Sequence, residues 1–167
     1  MNPEDAFLDF LRRTKENLAT TDKWRDGDPS STFHEVTNLV NSLLGLIVLP
    51  QELLPNSVRQ VEVGPHGIAK WGVTFNVVKR EGRPPKQLRP LLTGMRNTIA
   101  HGSWEFEANG PNIGGIKFVN RSKDRKRVLW IAAFDLDGLH SFLDHLTSEI
   151  ERAYRRQGRI LVKGKRG

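Results

Sequence analysis

There is no cysteine anywhere in the chain, so disulfides, thiolate nucleophiles and cysteine-based zinc sites are excluded from the start. No uninterrupted apolar run approaches the ~18–20 residues that a bilayer-spanning helix needs. The opening Met1-Asn2-Pro3-Glu4-Asp5 is acidic and lacks the basic-then-apolar pattern of a secretory leader, so none is expected. These absences make a cytoplasmic protein without a membrane partner the expectation. What is there suits a globular chain: 37% hydrophobic and 27% charged over 167 residues, enough for one domain with a buried core.

The net charge of +7 is unevenly placed. Residues 151–167 carry seven Lys or Arg against one Glu. Residues 79–89 (Lys79, Arg80, Arg83, Lys86 and Arg89 against Glu81) and 121–127 (Arg121, Lys123, Arg125, Lys126 and Arg127 against Asp124) are also strongly basic. The remainder is therefore acidic. Clustered positive charge attracts polyanions, of which RNA or DNA is the usual one. A solvated surface with a loose basic tail explains any single cluster equally well.

Asn2-Pro3 reads as a helix start, with acidic residues where the helix dipole favours them. Phe7, Leu8, Leu11 and Leu18 continue a helical stripe to about Thr20, before a loop at Asp26-Gly27-Asp28-Pro29. Phe33, Val36, Leu39, Val40, Leu43, Leu44, Ile47 and Val48 recur at three- and four-residue steps, the pattern of a helix with one buried face. Pro50 ends it. From Gln51 to Arg83 the pattern predicts an irregular connection with some extended structure around Val73, Phe75 and Val77. Leu88, Leu91, Leu92, Met95 and Ile99 form a third helical stripe that runs into His101 and stops at Gly102.

The next stretch predicts antiparallel strands. Trp104 and Phe106 alternate with charges, Asn109-Gly110 is a tight-turn signal, and 116–119 can pair with 128–132 across a basic turn. Asp135 then caps a last helix bearing Leu136, Leu139, Leu143, Leu146, Ile150 and Tyr154. The expected fold is mainly α, an antiparallel four-helix bundle with a small antiparallel β hairpin or meander inserted before the last helix. One domain over 1–157 and a flexible basic tail over 158–167 complete the expected organisation.

The segment Arg96-Asn97-Thr98-Ile99-Ala100-His101, followed by Gly102, carries the chemistry. An imidazole exchanges a proton near neutral pH and so serves as general base or acid. A guanidinium stays charged and presents a planar fork to phosphate oxygens. Residues five apart sit ~140° apart around a helix axis, so Arg96 and His101 share no face of one chain unless the arginine bends or the last turn tightens. The bland readings remain open beside the chemical one: a surface ion pair for Arg96, a backbone hydrogen bond for Asn97, a helix-end cap for His101.

Arginine, a polar residue, three intervening residues and histidine near a helix end resemble the signature of the HEPN superfamily. The long apolar second helix, the motif on the third, a strand insertion after it and a closing helix extend that resemblance over roughly residues 5–155. They look like a plasmid- and phage-defence-associated bacterial branch. The resemblance implies a homodimer and a metal-independent endoribonuclease, with non-catalytic branches known. It also implies Arg96, Asn97 and His101 as catalytic residues. The two motifs would meet across a two-fold axis. Such enzymes act as toxins or phage-defence effectors, which implies a neutralising antitoxin or regulatory protein as a further partner.

RNA binding is expected of Arg83, Lys86, Arg89, Arg121, Lys123, Arg125, Lys126 and Arg127. Glu35, Asn38 or Asn41 on the second helix could orient the motif. No metal or other cofactor is expected. His140 and His145 lack the partners of a metal site, His34 and His66 read as a helix start and a loop, and no glycine run precedes a Lys-Ser/Thr pair. Two rival readings stand: a HEPN-type dimer that binds RNA or nucleotide without cutting, and a dimerisation or interaction module whose tail grips a partner.

Overall fold

The computed structural model describes residues 3–27, 35–48, 53–63, 71, 74–76, 85–110 and 112–157. The chain is mostly helical with a small antiparallel sheet. Helix α1 spans Pro3–Gly27, α2 Glu35–Val48, α4 Leu88–Ala100 and α5 Leu136–Arg156, with a single helical turn, α3, at Asn56–Arg59. Strands β1 (Thr74–Asn76), β2 (Trp104–Asn109), β3 (Asn112–Arg121) and β4 (Val128–Asp135) form one sheet in the order β1-β4-β3-β2.

Helix α1 packs on α2 and α5, and α2 also packs on α4 and α5. One continuous core joins Phe7, Leu11, Leu39, Leu43, Leu91, Met95, Phe142 and Leu146 from these helices. The sheet lays one face on them. Along β4 the buried residues are Trp130, Ala132 and Phe134, alternating with half-buried ones, as the two-residue period of a strand demands. The Phe134 ring lies 5.1 Å from that of Phe142 on α5. Two glycines permit close approach between layers. A Cβ on Gly45 would stand 2.3 Å from the Phe10 ring, and one on Gly94 would stand 2.3 Å from the Trp130 ring.

Both helix ends that matter most were readable. Gln87 enters α4 in extended conformation (φ −123°, ψ 154°), and Pro90 falls in the first turn, where a missing N–H costs little. The Asp135 side chain accepts a 2.7 Å hydrogen bond from the Gly138 amide and so caps α5.

Three expectations need correction. Helix α1 does not end near Thr20 but continues to Gly27. Past Leu18 its one large apolar residue is Trp24, so periodicity gave little reason to extend it. The sheet is larger than a hairpin or meander, because Phe75 of β1 pairs with Ala132 of β4. The extended structure expected around Phe75 is there as β1, but the connection from Gln51 to Arg83 also holds the helical turn α3 and packs on the core where it is described. Leu54, Val58, Val63 and Trp71 are buried, the Tyr154 hydroxyl donates to the Leu53 carbonyl at 2.5 Å, and the Trp71 ring lies 5.7 Å from Phe142. Val73, Val77 and the tail 158–167 lie outside the described residues.

Candidate active site and nucleic-acid interface

Helix α4 divides its residues cleanly. Leu88, Leu91, Leu92, Met95 and Thr98 face the core, while Arg89, Arg96, Asn97 and Ala100 are exposed. Asn97 and His101 are four apart, ~40° around the axis, and share a side; Arg96 lies off it. The helix then ends in a Schellman arrangement. His101 is the first residue out of helical geometry (φ −107°, ψ 7°) and Gly102 takes the left-handed conformation (φ 61°). The Ser103 amide donates to the Thr98 carbonyl at 2.8 Å and the Gly102 amide to the Ile99 carbonyl at 3.1 Å. The Val119 amide donates to the Ser103 carbonyl at 2.8 Å, fastening this corner to β3.

The β3–β4 turn is built to meet that corner. The Ser122 amide donates to the Arg127 carbonyl at 2.8 Å, and the Arg125 amide to the Ser122 carbonyl at 2.7 Å. The Asp124 carboxylate accepts from the Ser122 hydroxyl and, at 3.1 Å, from the Lys126 amide. These two bonds, the hydroxyl's first, hold its carboxyl below the usual carboxylate value. Arg125 sits at φ 61°, and among the described residues it is the non-glycine residue with positive φ. Its guanidinium donates to the His101 carbonyl at 2.7 Å, placing a cation at the negative end of α4. A register shift between Asn120 and Arg121 makes a bulge in β4 beside the turn. Bulges of this kind re-aim side chains next to functional sites.

Between the end of α4 and this turn lies a cleft of about 480 Å³, lined by Asn97, His101, Arg121, Lys123 and Arg125 among others. Val119 and the half-buried Leu129 add apolar surface, none of the lining residues is acidic, and the His101 imidazole is the one aromatic ring among them. The structure thus gathers Asn97, His101 and three of the expected RNA-binding cations around one hollow. Arg96 does not line it, and neither do Lys126 and Arg127, both exposed on the turn. Lys86 and Arg89 are exposed at the opposite end of α4, ~18 Å along the axis from His101. Arg83 lies outside the described residues.

The Asn38 amide approaches the Asn17 carbonyl of α1 at 3.5 Å, Asn41 is exposed, and the Glu35 side chain lies outside the described residues, as do His34 and His66. His145 pairs with the Ser141 carbonyl (2.8 Å) and lies against Trp71, which makes it a packing residue. Among the described residues no cluster of three or more potential metal ligands occurs, and no helix is long and apolar enough to cross a membrane.

Asn120 went unnoticed in the sequence, although a signal was there. Strand alternation places it on the inward face with Ile116 and Phe118, opposite Trp130, and a polar residue at an inward position asks for a reason. Asn120 lines the cleft.

A mostly helical domain whose motif helix ends in a basic, carboxylate-free cleft defines the class of protein. The family model described as HEPN pEK499 p136 matches residues 1–157, and the chain belongs to that HEPN family. Membership points to a nuclease or RNA-related role. No curated protein and no solved structure matches the chain.

Proposed function

We propose that the protein is a metal-independent endoribonuclease that works as a homodimer, with the four-helix HEPN bundle over 1–157 as its scaffold and 158–167 as a basic tail. The observation that carries this reading is the exposed His101 at the rim of a cationic hollow, with Arg96 exposed one turn earlier on a different side of α4. A two-fold axis near the helix ends would bring Arg96 of one copy to His101 of the other.

In this reading His101 takes the proton from the RNA 2′-OH. The 2′-oxygen forms a bond to the adjacent phosphorus, the bond from phosphorus to the 5′-oxygen breaks, and the departing oxygen takes a proton from water. Arg96 neutralises the crowded phosphorane through its planar fork. Asn97, on the same side of α4 as His101, positions the pair. The products are a 2′,3′-cyclic phosphate and a 5′-OH. RNA supplies the nucleophile, so neither a metal nor an enzyme nucleophile is needed. The basic groups at 79–89 and 121–127 draw the polyanion in, with affinity falling as salt rises. A toxin or phage-defence role, held in check by an antitoxin, fits such an activity.

The test is cleavage of mixed RNAs in the presence of a chelator. His101→Ala is expected to lower the rate at least ~100-fold, the usual worth of a positioned acid–base group. Equal cutting by both proteins would remove His101 from the mechanism. A second reading, a dimer that binds RNA or nucleotide without cutting it, is favoured by the absence of Arg96 from the cleft within one chain. Under that reading no cyclic phosphate forms, and Arg96→Ala weakens binding alone.

A further inference from the structure

We infer that the cleft between the end of α4 and the β3–β4 turn is a subsite for one nucleotide of single-stranded RNA beside the scissile bond, with its phosphate on Arg121 and Lys123 and its base edge on Asn120. The inference rests on the RNA reading above and adds a substrate class and a recognition mode within a single chain.

The size fits. A hollow of about 480 Å³ falls within the ~300–1,000 Å³ typical of small-molecule sites. It suits one splayed-out nucleotide, whereas a duplex would offer paired bases and a broad groove. Charge points the same way. Three cations line the hollow without a carboxylate among the lining residues, and the carboxylate of the turn, Asp124, is engaged by Ser122 and the Lys126 amide. Arg125 is committed to the His101 carbonyl, which leaves Arg121 and Lys123 to meet a phosphate. The polar amide of Asn120 offers both a donor and an acceptor, as reading a base edge requires. The one aromatic ring in the lining, the His101 imidazole, is assigned to the proton transfer, so hydrogen bonding rather than stacking distinguishes the base.

Arg125 ties this subsite to the proposed chemistry. Its hydrogen bond holds the turn against the carbonyl of the residue whose imidazole moves the proton. A nucleotide gripped by the turn is thereby held at a fixed offset from His101, the kind of positioning that converts remote binding into rate.

The probe is a short single-stranded RNA with 2′-O-methyl groups, which has lost the nucleophile and reports binding apart from cutting. Its affinity is measured against salt for the full chain, for Arg121→Gln/Lys123→Gln, and for Lys86→Gln/Arg89→Gln, which removes the same charge at the far end of α4. The cleft pair is expected to weaken binding at least ~10-fold and to flatten the salt slope by ~1.4, the loss of two single-strand phosphate contacts. The distant pair is expected to cost clearly less. Asn120→Ala is expected to even out affinities among homopolymers of the different bases while leaving the salt slope alone. Equal losses from the two charge pairs would reduce the cleft to ordinary basic surface and overturn the subsite, as would a base preference unmoved by Asn120→Ala. If wild type cuts unmodified RNA and the cleft pair cuts and binds as well as wild type, the subsite falls and the nuclease stands; the hollow then belongs to another kind of partner, such as a protein. If the cleft pair loses binding as expected but wild type never cuts, the subsite stands and the nuclease falls.

Discussion

The two turns of the sheet reach the same backbone angle by different means. Between β2 and β3 the chain turns at Gly110 with φ 61°, and between β3 and β4 it turns through Arg125, also at φ 61°. Glycine enters the left-handed region at no steric penalty, whereas a residue with a Cβ loses roughly 1–2 kcal/mol there. The first turn carries no side chain at that point, and a Cβ placed there would meet nothing within 4 Å. The second holds an arginine in a strained conformation and sends its guanidinium to the His101 carbonyl. Strain of this kind persists where the surrounding structure enforces it, and functional sites are where it gathers. One hairpin shapes the sheet; the other also joins the sheet to the motif.

That contrast can be broken deliberately. Arg125→Gly makes the second turn resemble the first. Relief of strain and loss of the hydrogen bond oppose each other, so thermal stability is expected to change little. Cleavage is expected to fall ~10-fold, mainly in kcat, which corresponds to ~1.4 kcal/mol of lost transition-state stabilisation. Arg125→Lys, which can still reach the carbonyl, should recover part of it. A variant that loses stability and keeps its kcat would make Arg125 a plain structural residue.

The converse change, Gly110→Ala, places a Cβ in open space, since nothing lies within 4 Å of that position. Only the backbone angle is then penalised. Chemical denaturation should show a loss of ~1 kcal/mol, with cleavage per folded molecule unchanged. Activity falling with it would mean that the first turn also serves the site.

The smallest effect concerns Asp124. Its carboxyl lies below the ordinary value of 3.8 because the charged form accepts from Ser122 and Lys126. The order it lends the turn is complete above that ordinary value and is lost as pH falls through the lower, folded-state one. Exchange of the Lys126 amide, corrected for intrinsic rate, should therefore quicken in that acid range in wild type. In Asp124→Asn the exchange should show no such step.

The sequence made the motif helix and the last helix legible because each carries an unbroken apolar stripe and a clear boundary signal, Gly102 after α4 and Asp135 before α5. Strand β1 was harder. It is three residues long, and its partner is β4, far along the chain, so no local turn announces the pairing. The candidate site was legible in its parts, the Arg96–His101 segment and the 121–127 cluster. Their meeting was not, because it depends on a tertiary hydrogen bond from Arg125 and on a bulge that periodicity does not encode. The ~140° separation of Arg96 from His101 did foretell that one chain would not bring both into the same hollow.

Mixing two crippled proteins tests the shared site most directly. Arg96→Ala and His101→Ala chains, each inactive alone, are unfolded together, refolded and assayed for metal-free cleavage. Random pairing makes half the dimers mixed, each with one intact Arg96–His101 site, so activity should return to about a quarter of wild type. A refolded mixture as inactive as its components, under conditions where mixed dimers are shown to form, would contradict a site built from two copies.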